Sequence, residues 1–223
     1  ILLKIFDKTE GKNLSEFFNF YNGIKTGDNK KFLSETKDSN IHRKVIAGRD
    51  FDRFLTPEPK KYVLFDPEQL WSNSDVSKLE IKSKVLVRQT GDSLISTVES
   101  QGRPYMDTVH ALWCEWKSKK DPLALSLFIN SSFCNWLFQQ LNPESGRAFA
   151  EVKIAGLKQL PFCSEFLKVG SDFTGEWELC ADSVKWKKID AEITKKLCSI
   201  VGLDKLFVTE LLRSQGKDAS IAA

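Results

Sequence analysis

Short runs of β-branched and aromatic residues broken by turn signals fill the first 110 or so positions, and apolar residues at helical intervals follow. That order predicts an α+β fold and argues against a doubly wound sheet. Phe17–Tyr21, Lys31–Leu33, Arg43–Ala47, Lys61–Phe65, Lys84–Arg88, Ser93–Val98 and Val109–Trp113 each suit a pleated strand. Between them, Asn22-Gly23, Gly27-Asp28-Asn29, Pro57-Glu58-Pro59, Gly91-Asp92 and Gln101-Gly102-Arg103-Pro104 supply the turns. The pattern changes at Asp121-Pro122, because Asp caps helices well and Pro is favoured at the first helical position. Leu123, Ala124, Leu127, Phe128, Phe133, Trp136, Leu137 and Leu141 then recur at intervals of mostly three or four. They predict one amphipathic helix that ends before Asn142-Pro143. Two more helices are expected, about Asp190–Ile200 stopped at Gly202 and about Asp204–Ser214 stopped near Gly216.

With 223 residues, the chain is long enough to bury roughly 70% of its unfolded surface. Its 41% hydrophobic and 28% charged content excludes a disordered chain, and no stretch approaches the roughly 20 apolar residues of a membrane span. An initial Ile without a signal peptide reads as a piece of something longer. Cys114, Cys134, Cys163, Cys180 and Cys198 are odd in number and form no Cys-x-x-Cys pair. They read as buried, reduced thiols of a cytoplasmic protein, not as metal ligands. Two histidines leave little room for His-based chemistry.

Most catalytic signatures are missing. There is no G-x-G-x-x-G and no G-x-S-x-G. Gly170-Ser171-Asp172-Phe173-Thr174-Gly175 has phosphate-loop spacing, but Glu176-Trp177 replaces the required Lys-Ser/Thr. One enzymatic pattern survives. Asp66 followed by Glu80-Ile81-Lys82 matches a metal-dependent nuclease, in which an acid on one strand and Glu-x-Lys on the next hold Mg²⁺ and support the attacking water. Alternation on a half-exposed charged strand produces the same triplet, and Glu151-Val152-Lys153 repeats it.

The net charge of +3 is uneven. Residues 41–61 carry +3, residues 82–103 carry +2 and residues 147–158 carry +2. All three windows fall among turns and strand ends, where side chains on a rigid scaffold reach a ligand. Arg and Lys neutralise phosphates, and Arg, Gln and Asn pair with base edges. Solvated charges balanced by nearby Asp and Glu are the alternative. A third alternative is a protein-interaction domain that presents some of the six Trp and sixteen Phe to a partner.

Several segments occur together in a telling order. They are Gly23-Ile24-Lys25-Thr26-Gly27, Ile46-Ala47-Gly48-Arg49-Asp50-Phe51-Asp52-Arg53-Phe54, Lys61-Tyr62-Val63-Leu64-Phe65-Asp66 and Lys84-Val85-Leu86-Val87-Arg88-Gln89-Thr90-Gly91. Thr108-Val109-His110, Leu127-Phe128-Ile129-Asn130-Ser131, Phe149-Ala150-Glu151-Val152-Lys153-Ile154 and Leu157-Lys158-Gln159-Leu160-Pro161 complete the series. It resembles the TaqI-like specificity domain, the target-recognition domain of adenine-N6 DNA methyltransferases and restriction–modification enzymes, over roughly residues 14–165.

That resemblance implies a mixed, strongly twisted β-sheet with packed helices over residues 1–165, and a helical extension over 166–223 packed on it. It implies a module that reads duplex DNA beside an N-terminal methyltransferase domain absent from this chain. S-adenosylmethionine is expected in that other domain and no cofactor here, since Asn142-Pro143-Glu144-Ser145 lacks the second Pro and the aromatic of the adenine-flipping loop. The implied DNA contacts are Lys25, Thr26, Arg43, Arg49, Arg53, Lys84, Arg88, Gln89, Thr90, Arg147 and Lys153. Asp50 and Asp52 are competing partners for Arg49 and Arg53, and burial of its stem competes for Arg88. His110 reads as a packed core residue, and Pro161 and Phe162 as residues that close the domain.

Overall fold

The computed structural model describes residues 1–91, 93–142 and 151–216. Arg147, Asp92 and most of the Asn142–Ser145 segment lie outside the described residues. In chain order the elements are α1 Leu2–Lys8, β1 Asn19–Asn22, α2 Asn29–Phe32, β2 Leu33–Ser34, β3 His42–Val45 and β4 Lys61–Leu64. Then come α3 Val76–Leu79, β5 Lys84–Arg88, β6 Ser96–Glu99, β7 Val109–Trp113, α4 Asp121–Asn130 and α5 Ser132–Leu141. The C-terminal part holds α6 Ile154–Lys158, α7 Ser164–Asp172, α8 Ser183–Ile200 and α9 Lys205–Ser214.

The fold is α+β, as the sequence predicts. One sheet has the order β1-β7-β5-β6 and a smaller one the order β2-β4-β3. Every named strand pair is antiparallel, and parallel pairing enters through the isolated bridges Ile24–Met106 and Ile46–Tyr105. Strands β5 and β7 are central and buried on both faces, so Lys84-Val85-Leu86-Val87 and Val109-His110-Ala111-Leu112 read as nearly continuous apolar runs. Alternate side chains serve two cores. Val85, Val87 and Leu112 join the helices, whereas Leu86, Val109 and Ala111 pack with Val45 and Val63 of the smaller sheet and with Phe65 just after β4. The helix-side core continues without interruption from Phe18 and Phe54 to Leu197 of α8 and Leu211 of α9. Phe54 is one link, with its ring centroid 4.5 Å from Trp186 and 5.2 Å from Trp177.

Three departures from expectation arise because a cap outweighs periodicity, and β1 and β6 also start later than expected, at Asn19 and Ser96. The predicted helix over 122–141 is two helices. Ser131 is extended (φ −64°, ψ 150°), its hydroxyl donates to Phe128 O at 2.6 Å and accepts from Cys134 N–H at 3.1 Å. It thus ends α4 and starts α5. The predicted strand over Lys31–Leu33 is mostly α2, because the Asp28 carboxylate accepts from the N–H groups of Lys30 and Lys31. Asp182 likewise starts α8 at Ser183, well before the expected Asp190. The segment with phosphate-loop spacing is helical: Gly170 lies in α7, where a Cβ would stand 2.2 Å from Ala124 O.

Edge strand β6 is covered by side-chain amides. Asn130 accepts from Ser96 N–H at 2.8 Å and donates to Ser96 O at 2.9 Å, and Asn135 accepts from Leu94 N–H at 2.8 Å. The two helices thereby pair backbone groups at the start of this edge, at Ser96 and just before the strand at Leu94.

Among the described glycines the tightest backbone approach is at Gly23, where a Cβ would lie 1.9 Å from Met106 O. No side-chain rotation relieves a clash with backbone. Gly23→Ala is therefore expected to destabilise the chain by about 3 kcal/mol, read as a lower urea midpoint at unchanged slope.

Candidate nucleic-acid interface

Five segments meet at one end of the two sheets. Residues 104–107 lie between the chain at Ile24 and the chain at Ile46: Ile24 N–H donates to Tyr105 O (2.8 Å), Asp107 N–H to Ile24 O (2.9 Å), Met106 N–H to Ile46 O (2.8 Å) and Ile46 N–H to Pro104 O (3.0 Å). Gly48 N–H donates to the Thr108 hydroxyl at 3.0 Å, and Gln89 N–H to Thr108 O at 2.9 Å. Val152 N–H donates to Gln89 O at 2.7 Å, which brings in Glu151–Lys153. The turns bearing Lys25, Arg49, Thr90, Asp107 and Lys153 are thus fixed to one another through backbone.

Arg49 stands at the centre. It is exposed and shared by two concavities, one of about 550 Å³ lined also by Phe51, Thr56, Lys60 and Arg88, the other of about 270 Å³ lined by Asn29, Thr90, Asp107 and Thr108. Neither competing carboxylate holds it. Asp50 accepts from Ala47 N–H at 2.8 Å and closes the 47–50 turn, and Asp52 accepts from Arg53 N–H at 2.8 Å. Among the described residues Arg49 makes no ion pair and no side-chain hydrogen bond. Lys25 and Thr90 are exposed nearby, and Trp71, exposed over 74% of its surface, packs on Gly27 beside the Lys25–Ser72 bridge.

Other residues implied by the resemblance have structural tasks. Arg88 is half-buried: its stem runs against Gly48, its guanidinium donates to Phe51 O and sits 5.7 Å over the Phe51 ring. Arg53 donates to Leu94 O at 3.2 Å, and burial pulls its pKa below the usual value. Arg88 thus braces the 48–54 segment, and Arg53 ties that segment to Leu94. Thr26 is buried and its hydroxyl donates to Asn29 Oδ1 at 2.7 Å, so it holds the turn and presents no surface. Gln89 is half-buried and engaged through its backbone.

Two of the expected contacts are at the opposite end. Arg43 pairs with Glu80 at 3.7 Å and donates to Asn40 O at 2.7 Å. Lys84 has no exposed surface. Its ammonium donates to Leu79 O (2.6 Å), Ile81 O (2.9 Å) and Arg103 O (2.8 Å) and lies 3.6 Å from Glu99. Burial pushes its pKa down to about 8, with Glu99 opposing, so it stays charged near neutrality. A group enclosed by three carbonyls and a carboxylate cannot reach a ligand.

The nuclease pattern does not assemble as expected. Glu80 is the C-cap of α3 and Ile81-Lys82 follow outside any strand, while Asp66 lies in a turn. Among the described residues, no three His, Cys, Asp or Glu side chains gather as metal ligands.

His110 is buried in the sheet next to this end. Its Nε2–H donates to Val152 O at 2.7 Å, and Nδ1 meets the Asn22 side-chain amide at 2.8 Å. Burial pushes its pKa below the usual 6.5. Below that pH the unfolded chain binds a proton that the folded ring resists, so this contribution is complete above about pH 6.5 and declines as pH falls. Urea midpoints are expected to drop between about pH 7.5 and about pH 5.5, and His110→Gln is expected to shrink that drop.

A family model described as the TaqI-like C-terminal specificity domain matches residues 43–162. No curated protein matches the chain. A solved chain from a study of complex assembly and conformational transition in a type I R-M system aligns with 14% identity and a TM-score of 0.46, over 85% of this chain and 44% of that one. The chain thus spans under half the length of that neighbour. No helix among the described residues is long and apolar enough to cross a membrane.

Proposed function

The chain belongs to the family of TaqI-like C-terminal specificity domains, and from that premise we propose that it is a sequence-reading duplex DNA module of a restriction–modification system. On this reading it acts beside an adenine-N6 methyltransferase domain or subunit, which binds S-adenosylmethionine and carries the methyl transfer, while this chain selects the site.

One observation carries the proposal. Among the described residues Arg49 is unpaired, between two concavities at the end where Lys25, Thr90 and Lys153 lie on backbone locked by cross-segment hydrogen bonds and where Lys60 lines the larger concavity. Cations on rigid turns hold phosphates in register, and hydrogen-bonding groups between them reach base edges without a folding cost at each encounter. Arg88 and Arg53 add positive charge beneath the same surface while staying tied to Phe51 O and Leu94 O.

Fluorescence anisotropy with a labelled duplex tests the reading. Binding is expected to weaken steeply with salt, and Lys25→Ala and Lys60→Ala are each expected to lower the log–log salt slope by about one. Arg43→Ala, at the far end, is expected to leave the slope unchanged. A slope indifferent to Lys25 and Lys60 but sensitive to Arg43 would place the contact surface elsewhere.

A further inference from the structure

The 270 Å³ concavity contains a group that a phosphate-binding surface alone would not favour. Asp107 is half-buried there, in a lining it shares with Arg49, Asn29, Thr90 and Thr108. Its backbone is fixed through Ile24 O at 2.9 Å. Among the described residues, no side chain hydrogen-bonds or ion-pairs with its carboxylate. Only its own N–H and that of Thr108 orient it, with the more distant Lys25 charge, and burial raises its pKa. A carboxylate facing a polyanion is repelled, and it contributes only where the polyanion presents a donor.

In duplex DNA such donors are the exocyclic amino groups of cytosine and adenine in the major groove. The neighbouring Arg49 only donates, and its fork matches the paired O6 and N7 acceptors of guanine. A G·C pair offers both patterns side by side, acceptors on one base and the amino donor on the other. An A·T pair interposes the adenine amino group where the second arginine donor would go.

We propose that Asp107 and Arg49 together read one G·C base pair, Asp107 accepting from the cytosine amino group and Arg49 donating to guanine. This deepens the DNA-recognition reading and rests on it. Asn29 and Thr90 border the same concavity and limit how far the pair can shift.

Selection from a duplex library with a randomised central segment tests this, using the 223-residue chain, Asp107→Ala and Arg49→Ala. The parent is expected to enrich a site with an invariant G·C pair. Both variants are expected to lose about tenfold of their preference at that same pair and to keep it elsewhere. Asp107→Ala removes the acceptor altogether and should bind unrelated duplex at least as tightly as the parent, since a repulsive charge is gone. In the selected site, replacing that cytosine by 2-pyrimidinone, which lacks the amino group, is expected to cost the parent about tenfold and Asp107→Ala almost nothing. This arm needs no folding of a variant to challenge the parent's contact. A parent that enriches no sequence overturns the DNA-recognition reading and this assignment together. A parent that enriches a site, with Asp107→Ala unchanged at every position or the two variants relaxing different pairs, overturns the Asp107–Arg49 assignment alone.

Discussion

Residues 104–107 lie between Ile24 and Ile46 and exchange backbone hydrogen bonds with both, which joins the four-stranded sheet to the three-stranded one. The approach is so close that Gly23 has no room for a Cβ against Met106 O, and a Cβ on Gly48 would stand 2.9 Å from Thr108 O. Strand pairing in either sheet alone would leave Lys25, Arg49 and Asp107 on unrelated turns. Once the central segment is clamped, all three sit on backbone with satisfied partners, so their positions relative to one another are part of the folded core. Buried backbone groups must pair, and here the requirement decides the geometry of the surface.

The opposite end of the sheet supports the clamp with charge. Glu99 accepts from the N–H groups of Gln101 and Arg103, each at 2.8 Å, and from Arg103 Nε at 3.1 Å, with Lys84 close by. A buried ion pair adds little net stability once desolvation is counted, but it fixes conformation when every donor and acceptor is used. Here it sets the 99–103 turn immediately before the clamped segment. On the helical side, Asp190 of α8 accepts from Ser132 N–H at 2.7 Å and from its hydroxyl at 2.6 Å. A carboxylate at the start of α5 suits the positive end of that helix and ties the C-terminal helices to the sheet scaffold. The five cysteines are free; burial raises Cys114 to about 11 and Cys180 and Cys198 to about 12, so they contribute packing and little nucleophilicity.

Much of the fold was legible where one physical signal dominated. The central strands β5 and β7 announce themselves as apolar runs, and α9 has both its Asp204 cap and its stop at Gly216. Where periodicity and capping disagreed, capping prevailed: Ser131 interrupts an apolar pattern that continues through it, and Asp182 opens a helix whose first turns are mostly polar. α1 and α7 are not legible in the sequence because they are short, 7 and 9 residues, and neither has a side-chain cap at its start. At the site, charge type was legible and burial was not. Lys84 and Arg49 look equally basic in the sequence, yet one is enclosed by carbonyls and the other is open. Asp107 subtracts from the positive charge of its surroundings, and its place in one concavity with Arg49 emerges only in the fold. The available signal was its place between Gly102-Arg103-Pro104 and the apolar run from Val109.

Amide hydrogen exchange with and without duplex DNA tests the central claim most directly, because it reports on every segment at once. Protection is expected at residues 24–29, 47–52, 88–91, 106–108 and 151–153, with α1 and α9 unchanged. Protection confined to those helices, with the convergent turns exchanging as before, would contradict the account.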